Sequence, residues 1–380
     1  MNAPRVAIVF RGIGDIGGTN NTIADHARAL TQLGYDVDLI GEKIHKGGVT
    51  PDMGRGVRIR RLPLLKSRRW RYFADRADAC VARENYNFVI GHGHNLQQSV
   101  LSMHNCLHLA HEVIHGGSLD ARGTLADVHD DLFARGRFGL CICNSRLMQR
   151  DLAQRYGIDE AQLSVVYPGY RPMQFNREDR ARYRSLVREE LDVSDEQVIG
   201  LVSSGDFNKR GLDILIEAFA MLDERVRRRT RLLVLGKQGA SGQFIEQARR
   251  AGVADRINFV GATREPERYF HALDLCVHPA RLEEFGQVVQ EAMACGIPTL
   301  TTQRVGAAEL LPSAFFEDLA PKPDARRLSK DIQDLLMSRE AREALAQVGY
   351  DAVRVNTEQE NFRATLALWR RAGLAAASAA

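Results

Sequence analysis

Short apolar runs alternate with helically patterned stretches along the whole chain, the signature of βαβ units and parallel sheets. In the first half the runs Val6–Phe10, Val37–Ile40, Val57–Leu62, Phe88–Ile90, Val100–Met103, Leu140–Cys143 and Ser164–Val166 predict strands. Tyr167-Pro168-Gly169 then breaks the pattern, and residues 171–196 are polar and basic with little strand character. A second series follows with Val198–Ser203, Arg231–Leu235, Ile257–Val260, Leu275–His278 and Thr299–Thr302. Between these lie helical patterns over Leu212–Leu222, Gln243–Ala251, Glu265–Leu273 and Val289–Ala294, and residues 325–375 read as helical to the end. The expected architecture is α/β, with two Rossmann-like doubly wound domains facing a cleft. The boundaries are 1–170 for the first domain, 171–196 for a linker, 197–355 for the second domain and 356–380 for a C-terminal helix and tail. In such sheets ligands bind at the carboxyl ends of strands, near the point where strand order reverses.

Composition narrows the class. The chain has 380 residues and is 44% hydrophobic and 26% charged, a globular profile with ample core. No apolar run approaches the ~18–20 residues that span a bilayer, and the first strand starts without a signal-peptide pattern. The six cysteines lie mostly inside apolar runs without paired Cys-x-x-Cys motifs, which suggests reduced thiols and a cytoplasmic setting. A net charge of +4 does not by itself imply nucleic acid. The charge is uneven, however. Residues 55–71 carry Arg55, Arg58, Arg60, Arg61, Lys66, Arg68, Arg69 and Arg71 without an acid, and Trp70, Tyr72 and Phe73 are interleaved or follow. Over 55–73 this pattern fits either a solvated strand edge or peripheral contact with an anionic membrane or phosphorylated acceptor.

The most informative segment is Glu283-Glu284-Phe285-Gly286-Gln287-Val288-Val289-Gln290-Glu291. A Phe-Gly turn puts Glu283 in a loop and Glu291 about one turn into a helix. The free N–H groups between them form an anion site, while the carboxylates suit hydroxyl donors. Anion and polyol together suggest a sugar attached to phosphate. Lys209-Arg210-Gly211, just before a helix, is placed to neutralise a diphosphate, at roughly 1.5–3 kcal/mol per charge-assisted bond. His104 ends a parallel strand and points toward a ligand site, with His92 and His94 after the preceding strand. Each of these histidines also fits a satisfied core residue.

Two other motifs offer rival chemistries. Gly12, Gly14 and Gly17 satisfy a dinucleotide fingerprint after a strand, and Glu42 follows the next strand, farther along than the usual ~20 residues. A nicotinamide-dependent oxidoreductase would use that loop. Otherwise it is a flexible glycine loop closing over a ligand. His111-Glu112-Val113-Ile114-His115 matches the helix motif of zinc hydrolases, although a third metal ligand is not evident. A further alternative is a catalytically silent sugar-nucleotide-binding protein.

Taken together, the E-x7-E segment, Gly17-Gly18, the strand-ending His104, Lys209-Arg210-Gly211 and Gly306-Ala307-Ala308-Glu309 resemble the retaining glycosyltransferases of family 4, which have the GT-B fold. Ser204-Gly205-Asp206-Phe207-Asn208-Lys209-Arg210 and His278-Pro279-Ala280 resemble most the lipopolysaccharide core glucosyltransferases within it, although Asp206 stands where many members have Arg. The resemblance implies a C-terminal helix that crosses back to the N-terminal domain. It implies that Glu291 accepts ribose hydroxyls, that Glu283 holds the donor sugar, and that Phe285, Gly286 and Gln287 contact sugar and phosphate. Lys209 and Arg210 would stabilise the leaving diphosphate without a metal or other cofactor, and His104 would face the reacting sugar. Gly17 and Gly18 would close on the phosphate side of the donor, with Gly236, Lys237, Gly261 and Arg264 near the base. Thr19, His92 and His94 would line the acceptor side. The implied reaction moves glucose from UDP-glucose to a glycan or glycolipid, at the inner face of the cytoplasmic membrane.

Overall fold

The computed structural model describes residues 3–377 except positions 16, 64, 136, 204 and 238–241. Ile16 of the glycine loop and Ser204 of the basic turn therefore lie outside the described residues. The chain forms two compact units, Met1–Pro168 with Glu358–Ala380, and Gly169–Thr357.

In the first unit the strands are β1 (Arg5–Val9), β2 (Gly12–Ile13), β3 (Asp36–Gly41), β4 (Lys43–Ile44), β5 (Arg55–Arg58), β6 (Phe88–Gly91), β7 (Val100–Ser102), β8 (Leu140–Cys143) and β9 (Leu163–Val165). The helices are α1 (Gly18–Gln32), α2 (Lys66–Glu84), α3 (Leu107–His115), α4 (Leu125–Arg135) and α5 (Arg146–Tyr156). Seven strands form one parallel sheet in the order β5-β3-β1-β6-β7-β8-β9, and β2 pairs with β4 apart from it. Val6 registers with Val37 on one side and Phe88 on the other. A strand buried on both faces reads as a continuous apolar run, which is why these strands stand out in the sequence. The C-terminal helix Glu358–Arg371 completes this unit. Its Trp369 is fully buried, and its Asn361 Oδ1 lies 3.0 Å from His26 Nε2 on α1.

The second unit contains α6 (Arg180–Glu190), β10 (Gln197–Val202), α7 (Leu212–Ala220), α8 (Glu224–Arg227), β11 (Thr230–Leu235), α9 (Gly242–Arg250), β12 (Ile257–Gly261), α10 (Pro266–Ala272), β13 (Leu275–Val277), α11 (Gln287–Ala294), β14 (Thr299–Leu300), α12 (Ser313–Asp318), α13 (Ala325–Met337) and α14 (Arg339–Val353). The C-terminal helix is α15. The five strands are parallel, in the order β12-β11-β10-β13-β14. Each large sheet thus grows outward one way from its first strand and then resumes on that strand's other side. Strand order reverses beside β1 in one unit and beside β10 in the other, as in doubly wound sheets.

Three expectations need correction. Residues 171–196 are not a free connection, because α6 packs on α10 and belongs to the second unit. Arg184 and Arg188 donate to the carbonyls that end α10 and to Asp274, so the basic character of the segment caps a helix. The strand expected over Val57–Leu62 pairs only through Arg55–Arg58. The basic stretch 55–73 is also partly internal. Phe73 is fully buried, Arg55 pairs with Asp38, Arg71 pairs with Asp131, and Arg11 lies 4.3 Å over the Trp70 ring. Arg58, Arg60, Arg61, Lys66 and Arg68 remain exposed.

Candidate active site

The switch point of the second unit gathers the charges singled out in the sequence. Lys209 and Arg210 follow β10, and Glu283 and Glu284 follow β13, the strand next to it. Lys209 Nζ lies 2.6 Å from Glu284 Oε2, and Arg210 Nε forms an ion pair with Glu283 Oε2. Both carboxylates are buried. Buried charges need partners and further bonds, so this four-residue set fixes the positions of its members. Burial pushes the Glu283 carboxyl up, but Arg210 foremost, then His278 and Lys209, outweigh it and hold it below the usual carboxylate range.

Backbone contacts lock the two loops together. Arg281 N donates to Lys209 O (3.0 Å), and the Arg281 guanidinium donates to Asn208 O (2.7 Å) and to both oxygens of Asp213. Gly211 sits in the left-handed region at φ +72°, where a Cβ would fall 2.1 Å from Pro279 O. The turn therefore requires glycine. On the other side, Glu283 N donates to Arg304 O, Gly306 N to Glu283 O and Ala307 N to Phe285 O, so the loop of Glu283 is strapped to residues 304–307. Gly286, at φ +90°, is the N-cap of α11, with Gln287 opening the helix. Its missing Cβ makes room for Glu283 Cγ and Val305 Cγ1, each 2.9 Å from where a Cβ would stand.

Arg210 retains a buried Nη1 without a hydrogen-bond partner, and Lys209 has ammonium protons beyond the one aimed at Glu284. Free cationic donors beside a helix N-terminus have the chemistry that attracts anions. Glu291 lies on α11, half-buried. Burial pushes its carboxyl up to about 7 against the pull of Arg171, and Glu267 adds to the rise. Gly236 and Gly261 end adjacent strands and are joined by Gly236 N to Gly261 O (2.9 Å). Lys237 and Arg264 are exposed in the loops beyond them.

The first unit groups its histidines at the same kind of edge. His92 Nδ1 and His104 Nε2 are 2.7 Å apart, with the rings stacked, and Phe10 stacks on His94. Arg11 N donates to His94 Nδ1 (3.0 Å), which leaves the proton of the neutral ring on Nε2. Burial holds His92 and His94 well below the ordinary range, and burial with His26 nearby brings His104 down to about 4. All three are therefore neutral at pH 7. Gly17 is the N-cap of α1, and Gly18 and Thr19 open that helix.

Neither rival motif keeps its decisive residue free. Glu42, the acid the dinucleotide reading needs for a ribose, is buried and engaged by Arg11 Nε (2.9 Å) and Nη2 (2.8 Å). Glu112, the general base of the zinc reading, is gripped by both terminal nitrogens of Arg155 at 2.8 and 2.9 Å. Among the described residues, His111 and His115 have no third ligand grouped with them for a metal.

Two family models match. "Glycosyltransferase Family 4" covers residues 16–173 and "Glycosyl transferases group 1" covers 184–352, so together they span most of the chain. The chain belongs to the family 4 glycosyltransferases. Lipopolysaccharide glucosyltransferase WaaG of Escherichia coli (strain K12) is 28% identical over 182 residues, 48% of each chain, so that alignment spans about half of either protein. A D-inositol 3-phosphate glycosyltransferase of Segniliparus rotundus is 27% identical across 89% of this chain and 81% of its own. The crystal structure of WaaG superposes with a TM-score of 0.81 at 19% identity, covering 96% of this chain and 99% of that one. Anabaena Alr3699/HepE, in complex with UDP and glucose, superposes at 0.77 and 18% identity, covering 97% and 100%. These superpositions establish two Rossmann-like domains of the GT-B type for this family 4 member.

Glu284, as the partner of Lys209, and the Arg281–Asp213 clamp were missed in the sequence. Neither sits at a distinctive spacing. Glu284 was hidden beside the more obvious Glu283, and Arg281 lies 68 positions from Asp213.

Proposed function

We propose that this glycosyltransferase takes a hexose from a UDP-sugar, glucose from UDP-glucose in the first instance, and attaches it with retention to a glycan or glycolipid such as a lipopolysaccharide core. The observation that carries the donor side is the buried set of Lys209, Arg210, Glu283 and Glu284 at the switch point beside the N-terminus of α11. Its cations face the diphosphate and its carboxylates the sugar hydroxyls. UDP and glucose are supported by the ligands of the Anabaena relative, and the acceptor by the name of the Escherichia coli one.

Glu291 holds the ribose, with Lys237 and Arg264 flanking the base beyond Gly236 and Gly261. Phe285, Gly286 and Gln287 carry the backbone that meets sugar and phosphate. In the first unit His104, Thr19, His92 and His94 serve the acceptor, and Gly17 and Gly18, at the start of α1, serve phosphate. As the bond from the anomeric carbon to the leaving diphosphate breaks, the acceptor oxygen bonds to that carbon on the same face and its proton passes to the diphosphate. Glu283 positions the sugar and does not attack it. The protein supplies orientation and stabilises charge on the leaving group. Lys209 and Arg210 do this without a metal or other cofactor.

The exposed arginines of 58–68, Lys66 and Leu65 (71% exposed) are the surface for peripheral contact with the cytoplasmic leaflet. Among the described residues no helix is long and apolar enough to cross a membrane. Incubation with a panel of nucleotide sugars and a core oligosaccharide, read by product mass, tests the assignment. Consumption of UDP-glucose with a hexose added to the acceptor supports it, and consumption of another donor alone overturns the glucose assignment.

A further inference from the structure

His278 stands one residue past β13 and is 1% exposed. Its main chain is fully used, since His278 N donates to Leu300 O (2.8 Å) and Thr301 Oγ1 donates to His278 O (3.1 Å). The ring is a different matter. Nε2 lies 3.4 Å from Glu283 Oε2, and neither ring nitrogen, nor that oxygen, has a formed hydrogen bond. A buried polar side chain without partners costs free energy, so the acceptor it approaches, Glu283 Oε2, bears on what this ring does. That group is an ionised carboxylate, an acceptor only, and a neutral ring can meet it only with the proton on Nε2. The separation is at the long end for a hydrogen bond.

The other claim on the same oxygen comes from Arg210. Arginine–carboxylate pairs commonly close as two parallel bonds. Here the contact runs through Nε to Oε2, Nη2 lies over Gly205, and Nη1 is left buried without a partner. Oε2 thus stands between a guanidinium on the β10 loop and an imidazole at the end of β13.

Resting on the donor site proposed above, we infer that His278 is a positioning residue. Its Nε2–H holds Glu283 Oε2, prevents the carboxylate from closing onto the terminal nitrogens of Arg210, and so keeps Arg210 Nη1 free for the leaving diphosphate. Without that tether the carboxylate turns into the guanidinium fork and occupies the donor that the diphosphate needs. The loss falls on leaving-group stabilisation and so on kcat. Nucleotide binding keeps Lys209, Glu291 and the loops after β11 and β12, and so loses less than the rate.

The test compares His278→Leu, which removes the donor at similar volume, with His278→Gln, whose amide places an N–H near the Nε2 position. UDP-glucose turnover, UDP binding by calorimetry and thermal midpoint are measured for each. His278→Leu is expected to lower kcat about 10- to 100-fold, as loss of one charge-stabilising donor does, while the Kd for UDP changes less than about threefold. His278→Gln is expected to recover most of the rate. Turnover of His278→Leu within about twofold of wild type overturns the inference. So does a Gln variant as slow as the Leu variant, or equal losses in UDP binding and rate, which mark a structural role. If His278→Leu does not fold, His278→Asn replaces it, because Asn puts its amide at the Nδ1 position and should fail where Gln succeeds. If wild type consumes a different nucleotide sugar, the same comparison is run with that donor and its nucleoside diphosphate. A wild type that consumes no nucleotide sugar overturns the proposed function, whereas an active wild type with an indifferent His278 overturns only this inference.

Discussion

Replacing Arg210 by alanine removes two things at once. The first is the unpartnered Nη1 assigned to the diphosphate. One charge-assisted bond is worth about 1.5–3 kcal/mol, and at about 1.4 kcal/mol per tenfold this lowers kcat roughly 10- to 150-fold. The second is the cation beside a buried carboxylate. Glu283 lies below the usual carboxylate range because Arg210, ahead of His278 and Lys209, offsets burial. Without Arg210, burial pushes its pKa upward. Activity that needs ionised Glu283 is retained above that pKa and lost below it, so the acid limb of the pH–rate profile shifts to higher pH in Arg210→Ala. Removing Lys209 as well costs a second bond, and the double variant falls about 10²- to 10⁴-fold in kcat. The assay is nucleoside diphosphate release at saturating donor across pH, with single-turnover runs to separate chemistry from product release. A double variant within threefold of wild-type kcat, or a loss confined to donor KM, refutes the leaving-group role. An Arg210→Ala acid limb that does not move refutes the electrostatic account of Glu283.

Other predictions follow from the same geometry. Glu291, raised to about 7, becomes a stronger acceptor when ionised, so donor KM falls as pH rises through 7, and Glu291→Gln raises KM and removes that step; steady-state kinetics between pH 6 and 8 check both. Gly211→Ala forces a Cβ to 2.1 Å from Pro279 O at φ +72°, so it lowers stability by at least about 1 kcal/mol and slows turnover; denaturant unfolding and kcat report the two effects. His129 is brought down to about 4 chiefly by burial, so the protein binds fewer protons folded than unfolded below pH 6.5. Its contribution to stability, roughly 3 kcal/mol, is intact above 6.5 and is lost as pH falls toward 4; unfolding at pH 7.5 and 5 should differ, and equal stabilities contradict it. Charge reversal at Arg60, Arg61 and Arg68 weakens binding to anionic vesicles, whereas unchanged sedimentation with vesicles removes the membrane role.

The sequence made the sheets legible because their strands are buried on both faces and read as unbroken apolar runs, from Val6–Val9 to Leu232–Leu235. It made the donor loops legible because turn chemistry leaves a mark. Gly211 and Gly286 stand where the backbone takes positive φ, and the residues around them carry the charges. What it could not show was pairing across long separations. Lys209 with Glu284, Arg281 with Asp213 and Arg11 with Glu42 are contacts made by the fold, and no spacing rule announces them. The same limit explains the misread segments. The basic run in 171–196 reads as a linker because its partners, the carbonyls ending α10 and Asp274, lie some ninety positions away. The fingerprint at Gly12, Gly14 and Gly17 supports a rival reading in the sequence alone, and the fold engages with Arg11 the Glu42 that this reading needs.

The central claim is that the buried set at the switch point of the second unit grips a nucleotide sugar by its diphosphate and hexose. Calorimetric titration of UDP and UDP-glucose into wild type, Arg210→Ala and Glu283→Ala tests it directly. The account predicts that wild type binds both ligands, that Arg210→Ala weakens both, and that Glu283→Ala loses affinity for UDP-glucose while keeping that for UDP. Equal affinities for the two ligands across all three proteins would contradict it.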